Sequence, residues 1–405
     1  MHFRFQGQVF LVRTSKVITL ASFSLSAILI ALGFYLTTIN GYGSDNDTYG
    51  MIGTYLNILD SGSYNASRFT GNPVAELFIG FTAFYFGSTI LKAFIFLFFI
   101  AGIVLFYLSF EKNLLSSRFS IFLILCLSSN ILFFDNLEPM EYSLAFLFFS
   151  MGLYFRAHHY RHLMLLCFAF STGTRISFIL FGILVVSLDQ NNGIKVKLSE
   201  LFALVTTSSL FYIPNLIANR LTLDWITAKQ PDEQGLLGLI GRFGYKTWIA
   251  FGFVSFFLIL FTLLKNRYEI VSKPSDRLVL ILSLANLAIY FWIPADRSYL
   301  QPLLIFTYFL ISRYANLKTI LILLVMNFQI WIINFSLFEF TFRYSGPCDP
   351  VYAESIRLSP AIGGPGELSA FITEGDLSRC FARNFPLNFA ESISNGGKLV
   401  KESVD

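Results

Sequence analysis

Charge is what this chain has least of. Only 13% of its 405 residues are charged while 55% are hydrophobic, and the charged share is about half that of an ordinary soluble domain. That balance excludes a water-soluble fold. The basic residues form no long run, and a net charge of +4 spread over short clusters beside apolar blocks orients a membrane protein and gives nucleic acid nothing to bind. Also absent are a Walker motif, a dinucleotide fingerprint, a nucleophile elbow and a helix with paired metal ligands, so no seat for a nucleotide is visible. The two halves share no convincing repeat, which weighs against the inverted-repeat architecture of transporters.

What is present is aromatic and apolar. Phenylalanine alone supplies 48 residues, and the apolar residues arrive in blocks of roughly 15–22, the length that crosses a hydrocarbon core. Spans are predicted at 17–38, 89–110, 119–134, 143–156, 201–217, 247–264, 278–293, 299–312 and 318–338. Residues 163–188 are interrupted by Ser171-Thr-Gly-Thr-Arg175 and read as two half-length helices meeting at that polar kink. The stretch 73–88 opens on Pro73 and is short, so it lies at the interface or enters only part way. The fold class expected is therefore all-α, a polytopic bundle of about 10–12 membrane helices, some short.

Arg4, Arg13 and Lys16 precede the first run, Val17 to Thr38, which is longer than a signal-peptide core and lacks a small-residue cleavage site. It stays as a membrane helix with its basic end in the cytoplasm. If 73–88 does not cross, Lys112/Arg118, Arg156/Arg161, Lys195/Lys197, Lys265/Arg267/Lys273/Arg277 and Arg313/Lys318 all fall on that same side. The loops 39–72, 135–142, 218–246 and 294–298, the kink at Arg175 and the tail then face outward. The expected setting is a multi-pass protein of the cell inner (plasma) membrane, with residues 1–338 as the membrane domain and 339–405 as a small external tail.

That tail gains Gly, Pro, Ser and acidic residues around Gly346-Pro-Cys-Asp-Pro350 and Gly363-Gly-Pro-Gly366. Cys348 and Cys380 both lie in it, where an oxidising compartment would pair them, whereas Cys126 and Cys167 sit in apolar runs as packing residues. His158, His159 and His162 form the one histidine cluster, in a basic cytoplasmic loop; no metal site is assigned there.

The first external loop, 39–72, carries the chemistry. It opens Asn40-Gly-Tyr-Gly-Ser-Asp45-Asn-Asp47-Thr-Tyr49, and a helix follows through Asp60 with Met51, Ile52, Tyr55, Leu56 and Leu59 on one face. One aspartate can cap that helix; a pair at the mouth of a membrane cavity also suits a general base for an acceptor hydroxyl. Next comes Gly62-Ser-Tyr-Asn-Ala-Ser-Arg68-Phe-Thr-Gly-Asn-Pro-Val-Ala-Glu76-Leu. Further along stand Asp135-Asn-Leu-Glu138-Pro-Met-Glu141, Thr172-Gly-Thr-Arg175 and Ile293-Pro-Ala-Asp-Arg297-Ser-Tyr299-Leu-Gln-Pro302.

Taken together these segments resemble glycosyltransferases of the GT-C architecture, especially the protein O-mannosyltransferase and aminoarabinose-transferase group. In that group an acidic pair precedes a Tyr-bearing interfacial helix and a "Tyr-x-x-Ser-Arg-x-x-Gly-x-Pro"-like segment. The resemblance covers the order of features over about 40–305, and its specific part is residues 42–76. It implies an inverting transfer of a hexose or pentose from a polyprenyl-phosphate donor to a glycan, lipid or protein acceptor of the cell envelope, on the external face. Asp45, four residues before Tyr49, matches the family's catalytic aspartate better than Asp47 does. Tyr49, Arg68, Glu76, Asp135, Glu138, Arg175, Arg297 and Tyr299 are the implied substrate contacts, with Arg175 and Arg68 toward the lipid phosphate. No cofactor is required, although a divalent cation (Mg or Mn) bridging the acidic groups is conceivable.

Each position has a plainer alternative. Asp135, Glu138 and Glu141 can be loop solvation, Arg297 part of a solvated turn, Arg68 a headgroup contact. Arg175 lies between apolar half-helices and so needs a partner, a lipid phosphate or an internal carboxylate. At the level of function, an O-antigen-type polymerase or ligase and a lipid-linked saccharide transporter are the alternatives.

Overall fold

A computed structural model describes residues 3–38, 42, 46–67, 71–190, 192–221, 236–241, 243–244, 252–292, 300–332, 338–344 and 352–358. Helix α1 spans Phe3–Thr37, α2 Asn46–Ser61, α3 Pro73–Leu108, α4 Ser117–Ser128, α5 Asn130–Asp135 and α6 Glu141–Ala157. Then follow α7 Arg161–Thr174, α8 Phe178–Ser187, α9 Ile194–Phe211, α10 Ile213–Ala218, α11 Phe253–Lys265, α12 Arg267–Ser272, α13 Pro274–Trp292, α14 Leu300–Tyr314 and α15 Leu317–Ile332. Among the described residues three stretches are long and apolar enough to cross a membrane, Lys16–Thr37, Pro73–Leu108 and Pro274–Phe291, and several shorter helices are also apolar.

Local chemistry sets the ends of these helices. Pro73 opens α3, where a missing N–H costs nothing. Ser116 caps α4 by accepting from the Phe119 amide at 3.1 Å. The predicted kink is found: α7 stops at Thr174 and Arg175 is extended (φ −154°, ψ 116°) before α8 begins.

The core is built of aromatic rings. Phe106 of α3 stands 5.4–6.2 Å from the rings of Phe122, Phe146, Phe306 and Phe309, tying α3 to α4, α6 and α14. Such offset and edge contacts hold helices together where hydrocarbon surrounds them and burial alone gives no driving force. Large apolar side chains such as Leu20, Phe202 and Phe261 remain outward-facing, at 66–74% exposure. In water those faces would be a liability; in lipid they are matched.

Residues 73–88 form no separate element. They run directly into the predicted 89–110 span as one helix, α3, hinged at Gly87 with φ 78° and ψ −179°. That backbone region is open essentially to glycine alone. The hinge turns the first half of α3 over the end of the bundle. At its start, Val74 faces Gly173 at the end of α7 closely enough that a Cβ there would lie 2.8 Å from the valine. Beyond the hinge, Leu91 and Ile95 pack in one cluster with Met140 and Tyr142 at the start of α6. Both contacts belong to the same end of the bundle. Gly87→Ala is expected to cost about 1–3 kcal/mol, read as a lower midpoint of thermal unfolding in detergent; an unchanged midpoint would remove the hinge from the account.

Helix α2 lies against this half of α3, as its apolar stripe predicts. Met51 and Ile52 are fully buried, while Leu59, at the far end of the stripe, is exposed. The approach is close: a Cβ on Gly80 would sit 2.1 Å from that of Tyr55. The body is thus entirely helical. The tail, expected as an appendage of changed composition, opens with an antiparallel hairpin in which Phe338–Tyr344 (β1) pairs with Tyr352–Leu358 (β2), Phe338 opposite Leu358. The predicted 318–338 helix is seen over Leu317–Ile332, and its last predicted residue, Phe338, is instead the first of β1, where apolar and polar residues alternate with a period of two. Cys348 and Cys380 lie outside the described residues, and Cys126 and Cys167 are buried free thiols.

Candidate functional site at the polar end of the bundle

The end of the bundle roofed by α2 and the first half of α3 holds a concentration of buried polar groups, among them Glu76, Asp135, Glu138, Glu141 and Arg175. Arg175, at the C-terminal end of α7, meets Glu141, the first residue of α6, with Nη1 donating to Oε1 at 2.7 Å. Both side chains are buried, the glutamate completely. The guanidinium also stands over the Tyr142 ring at 4.5 Å, where the ring's negative face favours a cation. Of the two partners expected for Arg175, the structure supplies the internal carboxylate. Two antiparallel helices of an αα hairpin bring their ends together, which is how residues 34 positions apart come to touch.

The loop between α5 and α6 is buried, with Asp135 and Glu138 each 7% exposed. Asp135 accepts from Nε2 of Gln301, in the first turn of α14, at 3.3 Å. Asn136 accepts from Ser143 and donates to the Leu132 carbonyl at 2.5 Å, which fixes the turn into α6. Thr48, in the first turn of α2, donates to the Pro139 carbonyl at 3.3 Å. With the Met140 sulfur also 3.2 Å from the same hydroxyl, Thr48 brings the start of α2 against the second acidic loop.

Helix α2 begins at Asn46, directly after Asp45. Asp45, Arg68, Arg297 and Tyr299 lie outside the described residues; Asp47 and Tyr49 have their backbone in α2. The neighbours of several of these positions converge all the same. Thr48 touches the 135–141 loop from α2, and Gln301, two residues after Tyr299, touches it from α14.

Glu76 is otherwise employed. Oε1 accepts from the Ser67 amide at 2.9 Å and from its hydroxyl at 2.5 Å, and Oε2 accepts from the Tyr64 hydroxyl. The carboxylate clamps loop 62–67 onto α3, so the residue implied as a substrate contact also holds the loop in place. Burial, and then the adjacent Glu76 charge, push the Tyr64 hydroxyl well above the usual tyrosine range, so it stays a donor. Asn72 and Tyr212 close the same corner. Asn72, with its amide turned to suit its neighbours, donates to the Thr174 carbonyl at 3.2 Å, and Tyr212 donates to that of Thr172 at 2.6 Å.

Sequence reasoning passed over Lys92. It lies one helical turn past the Gly87 hinge, completely buried, in the α3 segment that packs on the start of α6. The signal was available: a lone charge inside an apolar block. Among the described residues, no group of three His, Cys, Asp or Glu side chains could hold a metal ion.

An all-helical body with apolar outer faces and a buried ionic end defines a helical membrane protein. No family model, curated protein or solved structure matches this chain.

Proposed function

We propose that the protein is a GT-C-type membrane glycosyltransferase, transferring a sugar from a polyprenyl-phosphate donor to a cell-envelope acceptor at the polar end of its bundle. The observation that carries this reading is the meeting of two acidic loops and a buried arginine beneath an amphipathic helix. Asp135, Glu138 and the Glu141–Arg175 pair lie together at one end of the bundle, and Thr48 ties the start of α2 to them. Buried charge in a membrane bundle is costly and usually functional.

In this reading Asp45 removes the proton of the acceptor hydroxyl as its oxygen attacks the anomeric carbon. The bond from that carbon to the phosphate oxygen breaks, the phosphate leaves on its lipid, and one displacement inverts the centre. Arg175, its position fixed by Glu141 and Tyr142, stabilises the negative charge that grows on the departing phosphate; Arg68 contributes from the loop. Asp47, Tyr49, Asp135, Glu138, Arg297 and Tyr299 surround the sugar and acceptor. A divalent cation is not needed for any of these steps. Glu76 stands with those residues and also holds the loop through Tyr64 and Ser67.

The test is sugar transfer by the purified protein in detergent, without vesicles, using polyprenyl-phosphate monosaccharides as donors and envelope glycan as acceptor. Single-sugar transfer with inversion is the expected result. Extension of a polymer would convert the reading to a polymerase or ligase. Flux of donor across liposomes with no glycosidic product would replace it with transport.

A further inference from the structure

At the opposite end of the bundle is a cavity that the proposed transfer does not use. Helix α6 has 17 residues, so its two ends lie about 25 Å apart; Glu141 marks the polar end and Arg156 the cavity. The cavity measures about 640 Å³ and opens between the α6–α9 side of the bundle and the start of α13. Its floor is apolar, with Phe110, Leu153, Met164 and Ile281, and its rim is charged, with Arg156, Arg161 and Arg277 against Asp189 and Glu200.

The rim is incompletely satisfied. Arg156 Nη2 reaches Asp189 at 3.5 Å, but its Nε is buried without an acceptor. Arg161 Nε stands 3.7 Å from Glu200 Oε1, too far for a hydrogen bond, and that oxygen is buried without a donor on a residue only 7% exposed. Asn192 bridges the two carboxylates at 3.1 and 3.4 Å, holding them on the same wall. Arg277, on the facing wall, has no ion pair among the described residues. At the rim, His159 holds a positive φ of 62°, strained for a residue with a side chain. Buried polar atoms without partners in a native fold call for an explanation, and here the orphans are of opposite sign.

We propose that this cavity binds a zwitterionic phosphate ester, a phosphoethanolamine group, supplied by a bilayer lipid. The phosphate would lie among Arg156, Arg161 and Arg277, which can offer paired N–H groups to its oxygens. The ammonium would supply the donor that Glu200 Oε1 lacks. A purely anionic headgroup would satisfy the arginines and leave that oxygen facing a like charge. The apolar floor accounts for a lipid over a soluble ester, because it meets the glycerol and acyl portion. Occupancy would fasten α13 to the α6–α9 side. The inference is independent of the transferase reading.

The experiment is native mass spectrometry of the full chain released from nanodiscs of phosphatidylethanolamine and phosphatidylglycerol in equal amounts, with thermal unfolding in detergent alongside. Phosphatidylethanolamine should be retained preferentially. Arg277→Ala, which breaks no ion pair among the described residues, should reduce that retention about tenfold without lowering the lipid-free midpoint. Glu200→Gln should abolish the preference between the two lipids. Soluble phosphoethanolamine should raise the midpoint less than the lipid does; an equal shift would assign the site to a free ester and overturn the lipid source. Equal retention of both lipids by the unaltered protein, or unchanged retention in Arg277→Ala, would overturn the proposal.

Discussion

Asp45→Asn is expected to lower sugar transfer by about 10²–10⁴-fold, the range a positioned general base contributes, while expression and membrane insertion stay normal. The side chain keeps its size and its capacity to accept at the start of α2, so a residue that only caps the helix would lose a fraction of a kcal/mol and little activity. Asp45 directly precedes in sequence the described span of α2, Asn46–Ser61, and capping and catalysis predict different readouts from one substitution. Initial rates on a lipid-phosphate donor, measured beside the midpoint of thermal unfolding, separate them. Asp47→Asn serves as the internal comparison. Loss in the Asp47 variant with full activity in the Asp45 variant would move the base two residues along; full activity in both would end the transferase reading of this loop.

How much of this was legible beforehand differs from residue to residue. The helix at 46–61 could be read because Met51, Ile52, Tyr55 and Leu56 recur at helical spacing, and it packs on α3 through that stripe. The break at Arg175 could be read because a charge and three small polar residues interrupt an apolar run. Its partner could not: Glu141 lies one helix earlier, and the sequence names no particular carboxylate until α6 and α7 pair. The role of Glu76 was hidden for a related reason, since a short loop doubles back to place Tyr64 and Ser67 on its carboxylate. The union of 73–88 with the following span escaped because hydropathy sees length and composition, whereas the direction of α3 depends on one backbone angle at Gly87. The orientation argument from basic loops depends on 73–88 not crossing, and the direction of that segment is set at Gly87.

Removing either member of the Glu141–Arg175 pair is expected to be the most destabilising change within the helical body. The pair is almost wholly withdrawn from solvent, with side-chain exposures of 8% for Arg175 and 0% for Glu141. Glu141→Ala takes a carboxylate from within 2.7 Å of a buried guanidinium, and Arg175→Ala does the converse; loss of one partner of such a pair costs about 3–5 kcal/mol. Replacing both at once, as Glu141→Gln with Arg175→Met, removes the uncompensated charge and should recover much of that loss, because the Coulomb gain of a buried pair largely offsets its own desolvation. Thermal unfolding of the two single variants and the double variant in detergent gives the coupling directly. Losses that simply add would show that the two residues act independently, contrary to the 2.7 Å contact. The same three proteins bear on the transferase reading. A double variant that is stable yet inactive on lipid-phosphate donors would leave Arg175 with a role beyond holding α6 to α7, whereas a stable and fully active one would confine it to architecture.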